Sequence, residues 1–152
     1  MLFRSDDMVR IVFVNPAECI PNIMQLLRDN WAETGFDFDF NPNLEAYQRL
    51  YDAGLLFALV AFDGDEVIGY CAMTVIQHLH NPDVVFASND ALYVRPDHRG
   101  ITSVRLIQAA EKEAKQRGAN RFLWHTRAGT PMAAMLERRG YKPVDITVMK
   151  EL

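Results

Sequence analysis

Residues 95–118, RPDHRGITSVRLIQAAEKEAKQRG, follow an apolar run, ALYV, that reads as a strand, and they turn an Arg-Gly corner into a helical stretch. Val104, Ile107, Ala110 and Ala114 recur at three- and four-residue spacing, and Gly118 is a stop signal. The spacing predicts a helix from about Ser103 to Arg117. A corner of this kind gathers unpaired N–H donors and the positive end of a helix dipole, which together favour an anion such as phosphate. Gly100 lets the backbone turn and approach a ligand closely, while Thr102 and Ser103 add hydroxyls. A plain strand–turn–helix connection without any ligand fits the same spacing. Neither G-x-x-x-x-G-K-[ST] nor G-x-G-x-x-G occurs, so no ATPase loop or dinucleotide fingerprint is indicated.

Upstream of the corner, Val9 to Val14 (VRIVFV) alternates as a strand does. Asn15-Pro16-Ala17-Glu18 has the form of a capping box, and Ile20, Ile23, Met24, Leu27 and Trp31 follow as one helical stripe. Pro21 delays the regular helix. Residues 35–43, GFDFDFNPN, alternate Phe with Asp before a turn, and a second helix fits Leu44 to Ala53 with Gly54 as its stop. Leu55 to Phe62 reads as a buried strand, DGD at 63–65 as a hairpin turn, and Glu66 to about Gln77 as a third strand. Asn81-Pro82 turns again into a fourth strand, Val84 to Val94.

Downstream, Arg121 to Thr126 is a fifth strand, and Thr130-Pro131 opens a short helix with Met132, Met135 and Leu136 inward and Gly140 as its stop. Tyr141 to Lys150 closes with strand material. The order is βααβββαβαβ, an α/β (α+β) fold with a mixed central sheet flanked by helices, in one domain over residues 1–152.

The chain has 152 residues, 49% of them apolar, enough for one core. Sixteen Lys and Arg against 20 Asp and Glu give a net charge of -4, the wrong sign for a general nucleic-acid binder, although Arg138, Arg139 and Lys142 crowd the C-terminal third. No apolar run is long enough to span a bilayer, and MLFRSDDMVR is unlike a secretory leader. Cys19 and Cys71 lack metal-ligand spacing and read as two thiols in a reducing cytoplasm.

The run LYVRPDHRG (residues 92–100), the helix ending at Gly118, LERRGY (136–141) and the element order resemble the GNAT superfamily of acyl-CoA-dependent N-acetyltransferases over nearly the whole chain. W-x-E at 31–33, the LH pair at 79–80 and NDALYV (89–94) resemble small phage-type members most closely. The resemblance implies the GNAT fold, acetyl-CoA as cosubstrate and direct acetyl transfer to an amine. It implies that the amides of Arg99, Gly100, Ile101, Thr102, Ser103 and Val104 cradle the CoA pyrophosphate. It also implies that backbone groups of Leu92, Tyr93 and Val94 bind the pantetheine arm and the thioester carbonyl. The family pattern Q/R-x-x-G-x-G/A is kept at Arg99 and Gly100 but has no further glycine, and Ser103 stands where the last small residue falls. Arg105 reads as a phosphate contact or a solvated helix-face residue.

A free alkylamine is mostly protonated at neutral pH, so a base or a water relay must take its proton. Asp90 is the leading candidate; without a bulge it shares a strand face with Leu92 and Val94, and an Asp in mid-strand asks for a reason. A carboxylate tying down a loop or an arginine is the other reading. His125, at the end of the fifth strand, is a candidate base or substrate contact, or a hydrogen-bonded strand-end residue. His78 and His80 share a strand face without a third ligand, so no metal is expected, and His80 fits a wall of the acceptor pocket. His98 reads as a solvent-exposed turn residue. Trp31, Glu33, Phe36, Asp37 and Asp39 form an aromatic and acidic cluster suited to a cationic amine, a small molecule or a protein lysine, though Trp31 also fits the core stripe.

The position where the resemblance puts a leaving-group Tyr is Leu136, and the Asn often found before that helix is replaced near Gly129. These departures keep open a second reading, a CoA-binding regulatory or interaction protein with impaired catalysis. A homodimer is the default symmetric assembly.

Overall fold

The structure, a computed structural model, describes residues 9–127 and 129–152; the N-terminal residues 1–8, read above as unlike a leader, lie outside them. Strand β1 (Val9–Val14) hands over to helix α1 (Pro16–Cys19) at Asn15, whose side chain accepts from the Ala17 N–H at 3.0 Å. Pro21 has no N–H to continue an α-helical ladder, and the chain tightens into a 3₁₀ turn, Ile20–Asn22, before α2 (Met24–Thr34). Helix α3 (Leu44–Asp52) is capped by Asn43, which accepts from Ala46 N–H at 3.0 Å.

Strands β2 (Leu56–Asp63), β3 (Glu66–His78) and β4 (Asn81–Val94) then run as an antiparallel meander. Helix α4 (Ile101–Gln116) returns the chain to β5 (Arg121–Leu123), which lies parallel to β4. Helix α5 (Pro131–Arg138) follows, with Thr130 accepting from Ala133 N–H. The sheet order is β1-β2-β3-β4-β5.

Both faces of the sheet are covered, which is why β2 is apolar at nearly every position. On one face Phe57, Leu59, Met73, Ala87 and Val94 pack on Leu106, Ala110 and Ala114 of α4. On the other, Val60, Tyr70 and Tyr93 pack on Leu26 of α2. Complete burial of Leu106 and Ile107 contributes about 1.5–3 kcal/mol each and holds α4 against the strands. At Gly69 a Cβ would meet the Tyr93 carbonyl oxygen at 2.9 Å, so glycine is what lets β3 approach the end of β4 so closely.

Two expectations are corrected. The fifth strand is only Arg121–Leu123, because β4 and β5 part beyond Ser88 and Leu123. Residues 141–150 form no strand: past Tyr141 the chain runs clear of the sheet, and Val144, Ile146 and Val148 are 70–91% exposed with no backbone neighbour among the described residues.

Candidate active site

The corner before α4 is built from the end of β4. After Val94 the chain makes a 3₁₀ turn (Pro96–His98), extends at Arg99 and reverses at Gly100, whose φ of 101° and ψ of -106° suit only glycine. A Cβ on Gly100 would meet nothing within 4 Å, so conformation and not crowding demands the glycine. No side chain caps the helix, which leaves its first-turn amides turned outward at the positive end of a 16-residue dipole. Thr102 is fully buried, and its hydroxyl has no partner among the described residues. The corner is open in the way an anion site requires.

His98, expected in solvent, is corrected: its side chain is 11% exposed and sits between two carboxylates. Nε2 lies 3.0 Å from Asp63 at the β2–β3 turn and Nδ1 3.1 Å from Asp97. The bond to Asp63, and then the proximity of Asp97, hold its pKa above the ordinary value against a smaller desolvation effect. The corner is thereby tied to the neighbouring hairpin.

Arg99 does not reach for the corner. Its Nε donates to the Val94 carbonyl at 2.8 Å, one terminal nitrogen donates to both oxygens of Glu33 at 2.9 and 2.8 Å, and its guanidinium lies over the Tyr93 ring. Glu33, read as an acceptor contact, is therefore the counter-ion of Arg99, and the pair joins the last turn of α2 to the end of β4. Arg105 also has a structural partner, the Val9 carbonyl at 2.9 Å.

Asp90 falls on a β-bulge. Ala72 pairs with Ala91 and Met73 with Asn89, so Asp90 is the extra residue in β4. The bulge turns the carboxylate away from the Leu92 and Val94 face, which packs under α4, and toward the face of α1 to α3. The condition under which Asp90 would share the Leu92 face is thus not met. Its Oδ2 accepts from Tyr47 Oη of α3 at 2.6 Å. Tyr70 stands nearby with its hydroxyl accepting from Asn30 Nδ2 at 2.6 Å. Although the residue has an exposed edge, crowding by these neighbours raises the Asp90 pKa; the Tyr47 hydrogen bond opposes the rise without cancelling it. Burial and the neighbouring Asp90 charge push the Tyr47 hydroxyl well above its ordinary range, so it stays a proton donor.

The bulge coincides with the parting of the strands. β4 and β5 pair only from Phe86–Ser88 to Arg121–Leu123. Immediately beyond, the Asn89 side chain bridges the widening gap, accepting from His125 N–H at 2.7 Å and donating to the His125 carbonyl at 3.2 Å. Past Asn89, β4 pairs with no strand on that side among the described residues, and its edge is open as far as the Val94 carbonyl, which Arg99 occupies. From Asp90 to Val94 is about 13 Å at about 3.3 Å per strand residue. A raised-pKa carboxylate, an open strand edge and an uncapped helix N-terminus thus follow one another along a single strand.

Residues 20–141 match the acetyltransferase (GNAT) family. The chain belongs to that family. No curated protein matches the sequence. The fold of this GNAT protein is similar to that of an aminoglycoside acetyltransferase from an uncultured soil metagenomic sample, solved in complex with sisomicin. The TM-score is 0.77 at 17% identity, over 98% of this chain and 99% of that one. It is also similar to a predicted acetyltransferase with acetyl-CoA from Clostridium acetobutylicum, with TM-score 0.74 and 14% identity over 95% and 96% of the two chains. A ribosomal-protein-alanine N-acetyltransferase from Brucella melitensis biovar Abortus 2308 has TM-score 0.67 and 16% identity over 95% and 98%.

Of the remaining candidate residues in this GNAT protein, Trp31 is half-buried and stacks on Phe36 at 5.0 Å between centroids, with its Nε1 donating to the Phe38 carbonyl at 2.9 Å. Phe38 and Phe40 complete the cluster, and the Arg127 guanidinium lies 4.6 Å from the Phe36 ring centre. Trp31 therefore organises the 35–40 loop beside α2. The His125 side chain is exposed, and its backbone holds Asn89. His80 sits in the β3–β4 turn beside His78, ten residues from Asp90 on a long hairpin, and is not brought together with the rest. Leu92, Tyr93 and Val94 lie past the β4–β5 pairing, with the Val94 carbonyl held by Arg99, while Ile101, Ser103 and Val104 share the first turn of α4, the Val104 amide donating to the Gly100 carbonyl at 3.1 Å. Sequence reasoning missed Tyr47, Tyr70, Asn30 and Asn89. Tyr47 falls inside the second expected helix, Leu44 to Ala53, and nothing in the sequence pairs it with a carboxylate 43 positions away.

Proposed function

We propose that the protein transfers the acetyl group of acetyl-CoA directly to a primary amine, with Asp90 accepting the amine proton. The observation that carries this reading is the succession along β4 of bulge carboxylate, free edge and uncapped α4 terminus. Acetyl-CoA supplies a thioester activated toward attack by nitrogen. The amides from Gly100 to Ser103 suit its pyrophosphate, the Thr102 hydroxyl, without a partner among the described residues, lies beside them, and the β4 segment Leu92 to Val94 suits the amide-bearing pantetheine arm once Arg99 releases the Val94 carbonyl. Asp90, less acidic than an ordinary carboxylate, is a better base for an ammonium, and the Tyr47 hydroxyl fixes its orientation.

The acceptor lies on the α1 to α3 side, where Asp90 points. Asp37 and Asp39 beside the Trp31 cluster favour a cationic amine, and Glu33 joins them only by leaving Arg99. Aminoglycoside and ribosomal-protein acetylation by proteins of this fold support an amine acceptor of either a small molecule or a protein. The reading extends to one acetyltransferase domain over residues 1–152, of the small phage-type kind, working in the cytoplasm; two free thiols, Cys19 and Cys71, agree with a reducing compartment.

The test follows free CoA thiol while the protein meets acetyl-CoA and a panel of polyamines, aminoglycosides and lysine peptides. Turnover with any cationic amine supports the reading. CoA binding without turnover on every class overturns it in favour of a CoA-binding protein.

A further inference from the structure

On the α1 to α3 side of the sheet the register sets three alanines in a row. Ala58 of β2 stands opposite Ala72 of β3, and Ala72 opposite Ala91 of β4. Sheet positions under a helix layer usually carry branched or aromatic residues, as Val60 and Tyr70 do two residues along the same strands. The alanines instead leave a cavity of about 50 Å³ beneath Ile23 and Leu27. Toward β1, Val14 and the buried Pro16 complete the lining, so the space ends inside the protein.

The other end is different. Among the described residues that line the cavity, Asp90 alone carries a charge, and Tyr47 holds its carboxylate. Asp90 keeps an exposed edge, so the carboxylate stands at the mouth with the apolar walls behind it. From Ala91 back to Ala58 is two strand spacings, about 10 Å. One water needs about 10–15 Å³, so the cavity takes about three to five chain atoms in single file, too few for a six-membered ring with its substituents. Apolar walls give water few hydrogen-bond partners, and hydrocarbon fills such a space better. A carboxylate in front of a narrow apolar space complements a group that is an amine at one end and aliphatic behind it.

We propose that the acceptor is a free, unbranched aliphatic primary amine whose carbon chain lies in this cavity along Ala91, Ala72 and Ala58, with its nitrogen at Asp90. The inference rests on acetyl transfer at Asp90 and narrows it. The neutral nitrogen bonds the acetyl carbon, the carbon–sulfur bond breaks with its electron pair left on the CoA sulfur, and the amine proton passes to Asp90 and on to solvent. An amine borne directly on a ring does not enter the cavity. A lysine of a protein reaches Asp90 only from outside, without filling it.

The experiment gives the full chain acetyl-CoA with n-alkylamines from ethylamine to octylamine, cyclohexylamine and a lysine peptide, and follows CoA thiol. The same series is run as thermal shifts in the presence of CoA, which read binding without turnover. The expected kcat/KM rises about fourfold per methylene from ethylamine to about pentylamine and no further. n-Hexylamine exceeds cyclohexylamine and the lysine peptide by about tenfold or more. Ala58→Val fills the inner end of the cavity and moves the optimum to a shorter amine, with unchanged circular dichroism. The length series on the natural protein needs no variant. Turnover that ignores chain length, or that is as fast with cyclohexylamine or the lysine peptide as with n-hexylamine, keeps acetyl transfer and overturns the inference. Length-graded thermal shifts without turnover support the cavity as an alkylamine site and overturn acetyl transfer. Neither turnover nor shift with any amine overturns both.

Discussion

Replacing Asp90 by Asn separates chemistry from architecture at the bulge. Asn keeps an oxygen that accepts the Tyr47 hydroxyl hydrogen bond, so the 2.6 Å contact and the bulge are retained while the proposed base is lost. Removing a positioned base lowers kcat about 10²–10⁴-fold. At 1.36 kcal/mol per decade that is about 2.7–5.4 kcal/mol of barrier. The effect on stability has the opposite sign from that of a salt-bridged aspartate. Burial raises the pKa of Asp90, so the folded state binds its proton more tightly than the unfolded chain does, and the ionised carboxylate opposes folding at pH above the raised value. At pH 7 the Asn variant is therefore as stable as the natural protein or slightly more so. Solvent at the exposed edge of Asp90 screens the effect, and Tm rises by no more than about 3 °C. Below the ordinary carboxylate pKa the two curves converge. The assays are thiol release with a responsive amine, CoA titration and thermal melts from pH 3 to 8. A variant within about tenfold of the natural rate would refute the base assignment. A fall in Tm of several degrees would show instead that the carboxylate ties α3 to β4.

Gly100→Ala forces a φ of 101° and ψ of -106° on an L-residue, costing about 1–3 kcal/mol, or about 2–12 °C in Tm for a chain of this size, and it weakens CoA binding. Gly35→Ala is the control, because φ 71° and ψ 16° lie in the left-handed helical region at about 1 kcal/mol; thermal melts with and without CoA that rank the two equally would contradict the open-corner geometry. His98 gives a pH signature: its pKa is raised by Asp63 and Asp97, so the stabilisation is complete below the unfolded value near 6.5 and lost as pH rises through the higher folded value. Tm of the natural protein relative to His98→Gln should therefore decline as pH rises above about 6.5, and a flat difference would remove the ion-pair account.

The fold was legible because its elements are locally encoded. The apolar stripe of α4, the alternation in β1, the Asn15 and Thr130 caps and the glycine stops each act within a few residues. Of the candidate site, the turn at Gly100 was legible as a turn because it too is local. The bulge at Asp90 is a property of two strands in register, and β4 alone carries no mark of it. Arg99 and Glu33 are 66 residues apart, so each reads from sequence as a free charge with a ligand to meet, while in three dimensions each is the other's partner. His98 looked exposed because a PDH turn usually is; the β2–β3 turn that covers it arrives from 35 residues away. The closing strand failed for a related reason. Its alternating pattern is present, but a strand needs a neighbour, and residues 142–152 pair with none of the described residues.

The account rests on an anion held by the backbone of the α4 corner and an acyl arm laid along the free edge of β4. Amide resonances of an isotope-labelled sample titrated with CoA test this directly. The largest shifts are predicted at Gly100 to Val104, with a second set at Leu92 to Val94. If those amides stay still at millimolar CoA while others move, or if none move, the account is contradicted.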